Sequence, residues 1–126
     1  MAKGKVLIVD DEVYIIHILD FTLGMEGYEV ITALTGEQAI EKAVAELPDL
    51  IILDAMMPKL DGYEVLKELK ANEATRAIPV IMVSPSGRTF DQQLANKYEA
   101  TEIIAKPFSP RKLVERIDVI LRVSAV

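Results

Sequence analysis

Short apolar runs alternate along this chain with longer amphipathic stretches, and four of the runs stop at residues able to do chemistry. Val6-Leu7-Ile8-Val9 stops at Asp10-Asp11, Leu50-Ile51-Ile52-Leu53 at Asp54, Pro79-Val80-Ile81-Met82-Val83 at Ser84, and the run 101–105 at Lys106. Glu29-Val30-Ile31-Thr32-Ala33 makes a fifth run. Runs this short suit strands, and strands alternating with helical stretches build a parallel sheet covered on both faces. The runs are continuously apolar, as strands buried on both faces must be. The expected class is α/β, a doubly wound five-stranded parallel sheet with five helices, (βα)5.

Local signals bound the helices. The first is expected over 12–25, with Gly27 marking its end. Thr35, with Gln38 three residues on, reads as a capping box, in which each side chain satisfies an otherwise orphaned N–H, and Pro48 stops that helix. Asp61 and Glu64 repeat the pattern for a helix reaching Ala71. A fourth helix is expected over 90–98. Ser109 caps the last, with Pro110 in its first turn, where a missing N–H costs nothing.

The 126 residues suit one domain, 1–126, and about half are hydrophobic, which argues against disorder. With no cysteine there is neither a disulfide framework nor a thiolate metal site. A formal net charge of −6 repels phosphate backbones, so direct binding of nucleic acid is not expected. The first residues, Met1-Ala2-Lys3-Gly4-Lys5, lack a signal peptide's apolar stretch, and no apolar run nears the roughly 20 residues of a membrane span. The expectation is a cytoplasmic protein with no membrane association.

Parallel strands place their carboxyl ends on one edge, where open α/β sheets bind ligands. Asp10, Asp11, Asp54, Ser84 and Lys106 are therefore expected in one cleft. Three close carboxylates repel unless positive charge sits among them. Lys106 supplies one charge; a hard divalent cation would supply the rest. Mg²⁺ suits such a site because it takes one or two carboxylates, waters and a phosphate oxygen. A carboxylate can also act as a nucleophile and form an aspartyl phosphate.

The motifs Val-Asp-Asp-Glu at 9–12, Leu-Asp-Ala-Met-Met-Pro at 53–58, Asp-Gly-Tyr-Glu at 61–64 and Ala-Lys-Pro-Phe at 105–108 resemble, in order, those of response regulator receiver domains. The resemblance spans essentially the whole chain. It implies a flavodoxin-like sheet of strand order 2-1-3-4-5 and a phosphoryl group accepted on Asp54 from a histidine kinase or histidine phosphotransfer protein. It further implies Mg²⁺, or Mn²⁺ in its place, held by Asp10, Asp11, Asp54 and the backbone carbonyl of Met56. Ser84 would be the switch hydroxyl, Lys106 would contact the phosphoryl group, and Lys106-Pro107 would be a cis bond. Tyr14, Ile15, Ile18, Pro107 and Phe108 would form the dock for the phosphodonor. The output would be a downstream protein or domain, with the chain a monomer or a phosphorylation-dependent dimer. Such a chain is a self-modifying switch and not a turnover enzyme on an outside substrate.

Two positions depart from the family pattern. Pro85 follows the switch serine and has no N–H to offer a phosphoryl oxygen. Ile103 stands three residues before the lysine, where the family tends to carry an aromatic. These departures sustain one alternative, a phosphate-independent interaction module. A Mg²⁺-dependent phosphatase would need a dedicated general acid and a cap, and the acid cluster would repel a flavin phosphate. His17 reads as a surface or boundary residue of the first helix.

Overall fold

The computed structural model describes residues 3–57, 61–85 and 89–125. Strands β1 (Lys5–Val9), β2 (Glu29–Ala33), β3 (Leu50–Asp54), β4 (Val80–Ser84) and β5 (Glu102–Ala105) alternate with helices α1 (Val13–Met25), α2 (Gly36–Glu46), α3 (Gly62–Ala71), α4 (Thr89–Lys97) and α5 (Pro110–Ala125). The sheet is parallel throughout, in the order β2-β1-β3-β4-β5. The fold class and strand order are those expected. Pro58 and the rest of the loop up to Leu60, like Ser86-Gly87, lie outside the described residues.

Alternation along the strands divides the core in two. Leu7, Val9, Ile51, Leu53, Val80 and Met82 pack with α2, α3 and α4, through Ala39, Ala43, Tyr63, Leu66 and Ala95. Val6, Ile8, Leu50, Ile52, Ile81 and Val83 pack with α1 and α5, through Ile16, Leu19, Leu23, Leu113 and Ile117. This two-residue period decides which helices each strand-end side chain meets.

Local chemistry sets the element ends. Thr35 Oγ1 accepts the Gln38 N–H at 3.1 Å, and Gln38 Oε1 accepts the N–H of Leu34, one residue before the expected Thr35. Leu47 closes α2 in the left-handed region, at φ 46°. Asp61 caps α3 through the N–H of Tyr63 at 2.7 Å, not through that of Glu64, whose N–H bonds the Asp61 carbonyl. Ser109 Oγ accepts the Lys112 N–H at 3.3 Å. Gly27 takes φ 95° after α1, a conformation open to glycine at no steric cost.

Gly62 brings α3 against the end of β3. Its N–H bonds the Ala55 carbonyl, and a Cβ there would lie 2.1 Å from the Asp54 carbonyl oxygen. No other residue lets the helix approach that backbone so closely. Lys106-Pro107 is a cis bond.

Candidate functional site: an acidic cluster at the strand ends

Asp10, Asp54 and Lys106 continue the strand rows that face α1 and α5, so they meet. The Lys106 ammonium lies 3.2 Å from Asp10 Oδ2 and 3.4 Å from Asp54 Oδ2. It also lies 3.2 Å from Glu12 Oε1, a partner that sequence reasoning did not assign. Glu12 stood within a quoted motif, but only the turn into α1 brings its carboxylate over Lys106. Asp10 and Asp54 are 4% and 2% exposed, whereas the Glu12 side chain is 41% exposed. Two carboxylates are thus committed to the interior and the third sits at the rim.

Each buried carboxylate is aimed by a backbone N–H two residues on. Asp10 Oδ1 accepts from Glu12 N at 2.8 Å, and Asp54 Oδ1 from Met56 N at 3.1 Å. Such side-chain-to-backbone turns are a common use of aspartate. They hold the two acids in place while their remaining oxygens face the lysine.

The charges are not balanced. Burial raises the Asp54 pKa to about 6; the Met56 N–H opposes this, the Asp10 charge adds to it and Lys106 opposes it. Burial also raises Asp10, against the Glu12 N–H and Lys106. Lys106 is pulled down by burial, but Asp54, Asp10 and Glu12 outweigh that and raise it. Glu12 is lowered, by a hydrogen bond from Tyr14 and by Lys106. Among the described residues, one ammonium sits among three carboxylates, a surplus of negative charge. Among the described residues, Asp10, Glu12 and Asp54 can each offer an oxygen such that all three lie within 4.8 Å of one another. That all-oxygen donor set fits a hard divalent cation.

The other expected site residues fall around this centre. Asp11 is exposed and lies outside the three-acid group; with Ala55, Met56, Met57 and Asp61 it borders a cleft of about 390 Å³. Ser84 does not join the acids. It continues the row of Val80 and Met82 that faces α3 and α4, and its hydroxyl donates to Asp91 Oδ2 at 2.9 Å. The hydroxyl is thus aimed at α4, whereas the sequence predicts it beside the strand-end carboxylates. Ile103 packs into that same face of the core, and Pro85 is exposed. Tyr14, Ile15, Ile18, Pro107 and Phe108 together line a groove of about 440 Å³ that also includes Glu12, Pro85 and Lys106. His17 is exposed on α1.

The response regulator receiver domain family model matches residues 6–118. The chain belongs to that family. The alkaline phosphatase synthesis transcriptional regulatory protein PhoP of Bacillus subtilis is 44% identical over 122 residues, covering 97% of this chain and 50% of PhoP. A transcriptional regulatory protein CpxR homolog of Haemophilus influenzae is 40% identical over 122 residues, covering 97% of this chain and 52% of its own length. The chain spans about half the length of these curated relatives. It also matches the chemotaxis protein CheY4 of Vibrio cholerae at TM-score 0.87 and 34% identity, over 94% of this chain and 97% of that one. The receiver domain of Francisella response regulator 1452 superposes at TM-score 0.89 with 28% identity, over 96% and 98% of the two chains. This receiver domain keeps its acids, and its relatives are response regulators; neither supports a phosphate-independent module. Among the described residues, no helix is long and apolar enough to cross a membrane.

Proposed function

We propose that this receiver domain takes a phosphoryl group onto Asp54 from a phosphohistidine of a histidine kinase or phosphotransfer protein. A P–O bond forms to an Asp54 carboxylate oxygen as the donor's P–N bond breaks, and the donor imidazole keeps the electron pair and takes a proton. The observation that carries this reading is Asp54 itself: a nearly fully buried carboxylate, held at a strand end by one backbone N–H, with an ammonium 3.4 Å away. Phosphorylation there would form an acyl phosphate and add negative charge, which the Lys106 ammonium beside it and a bound cation would offset.

Asp10 and Asp54, with Asp11 and the Met56 carbonyl at the adjoining cleft, would hold Mg²⁺, or Mn²⁺ in its place. The bound cation would offset carboxylate repulsion and neutralise charge on the transferring group. Lys106 lies where it supplies a second positive charge, and Ser84 a hydroxyl once it turns from Asp91. The apolar groove of Tyr14, Ile15, Ile18, Pro107 and Phe108 opens beside Lys106, which suits docking of the donor next to the acceptor. The phosphorylated form, alone or as a dimer, would signal to an output protein or domain in the cytoplasm; the domain modifies itself and turns over no outside substrate.

Acetyl phosphate with Mg²⁺ is expected to add one phosphoryl mass to the wild-type chain, with no addition in chelator or in Asp54→Ala. Labelling of Asp54→Ala to the wild-type extent would overturn the assignment.

A further inference from the structure

Asp91 is a buried carboxylate on α4, 2% exposed, that the phosphoryl chemistry does not use. Its Oδ2 accepts the Ser84 hydroxyl at 2.9 Å, and its Oδ1 accepts the Tyr63 hydroxyl at 3.0 Å. Ser84 and Tyr63 are 0% and 6% exposed. One carboxylate thus ties together the end of β4, the start of α3 and the start of α4, away from water. Its place explains the aim of Ser84: strand alternation turns that side chain towards α3 and α4, and Asp91 gives its proton a charged acceptor there.

We propose that Asp91 is the positioning residue of the switch, a latch holding the Ser84 hydroxyl away from the phosphoryl site until the phosphoryl group competes for it. This rests on the reading of Asp54 as acceptor. A serine hydroxyl has one proton to donate, so donation to Asp91 and donation to a phosphoryl oxygen exclude each other. Phosphorylation must therefore break the Ser84–Asp91 bond to gain its own. Asp91 keeps Tyr63 when Ser84 leaves, so the carboxylate is not stripped of every donor. That lets the latch open without abandoning a bare buried charge. Breaking the tie between β4 and α4 carries the event at the acid cluster to the opposite face of the sheet. The aromatic hydroxyl linked to Ser84 through this carboxylate comes from α3, while position 103 on β5 is an isoleucine packed in the core.

The test is binding of beryllofluoride, a phosphoryl mimic, with Mg²⁺. Asp91→Asn preserves volume but leaves one neutral acceptor oxygen for two hydroxyls. It is expected to tighten beryllofluoride binding roughly five- to tenfold, as a hydrogen bond to a charged group weakens to a neutral one. In a Ser84→Ala background the same change is expected to have no effect, because the latch acts only through that hydroxyl. A wild-type measurement needs no variant: the Asp91 carboxyl ¹³C resonance is expected to move when beryllofluoride binds, reporting loss of the Ser84 donor. Tightening that persists without the Ser84 hydroxyl, or an Asp91 resonance unmoved by bound beryllofluoride, would overturn the latch. So would unchanged affinity in Asp91→Asn. If the wild type binds no beryllofluoride at all, the Asp54 reading fails and this one with it.

Discussion

The two sides of the sheet's carboxyl edge solve opposite problems. Towards α1 and α5, three carboxylates crowd one ammonium, with an Asp54 pKa of about 6 and surplus negative charge. Towards α3 and α4, the buried Asp91 carboxylate accepts the hydroxyls of Ser84 and Tyr63. The first arrangement carries more carboxylates than ammonium groups among the described residues. The second is satisfied as it stands, and has to be broken if Ser84 is to take part. The difference teaches that strand parity, more than proximity in sequence, sorts residues here. Asp54 and Ser84 end neighbouring strands, yet their side chains emerge on opposite faces.

The closed side can be broken most severely at Gly62. A Cβ there meets backbone, not a flexible side chain, so either α3 or the end of β3 has to move. Gly62→Ala is expected to cost about 3 kcal/mol, at the upper end of overpacking penalties, read by denaturant unfolding. A loss below about 1 kcal/mol would mean that the junction yields, and that α3 is not wedged against the end of β3.

A smaller effect sharpens the open side. Asp54 has a folded pKa of about 6, above roughly 3.9 for an unfolded aspartate. Between those values the folded state holds more protons, so metal-free stability is expected to fall as pH rises from about 4 to 6. Asp10 is raised too and adds in the same direction. The loss is on the order of 1–2 kcal/mol. Asp54→Asn is expected to flatten this dependence and to be more stable than wild type at neutral pH in chelator. Melting curves across that range read both. A wild type that instead gains stability from pH 4 to 6, by an amount that Asp54→Asn abolishes, would mean that Lys106 already overcompensates the acids.

Much of this was legible in the sequence because it depends on local pattern. Continuous apolar strands, capped helices and strand-end acids have signatures within a few residues, so class, element order and the Asp10–Asp54–Lys106 convergence could be read directly. The order 2-1-3-4-5 came from family resemblance, since strand adjacency depends on long-range packing. Side-chain direction at the site was harder. Parity along Val80, Met82 and Ser84 could have separated Ser84 from Asp54, and the shared strand-end position hid it. Glu12 carries no local signal, because its partner lies 94 residues away. Asp91 carried no signal, as a lone acid early in a helix reads as a favourable dipole contact. Only the packing of α3 and α4 gives it two hydroxyls. The caps at Thr35 and Asp61 are legible in the sequence, but which N–H each side chain or its partner takes shifts by one residue, a detail set by loop geometry.

The central claim is that Asp54, at the open side, is the acceptor. An acyl phosphate is reduced by borohydride to an alcohol, turning a phosphorylated aspartate into homoserine. After labelling with acetyl phosphate and Mg²⁺, reduction and peptide mapping are expected to place homoserine at position 54, with none in unlabelled protein. Homoserine at position 10, 11 or 91, or a stable phosphohistidine at His17 in place of it, would contradict the account.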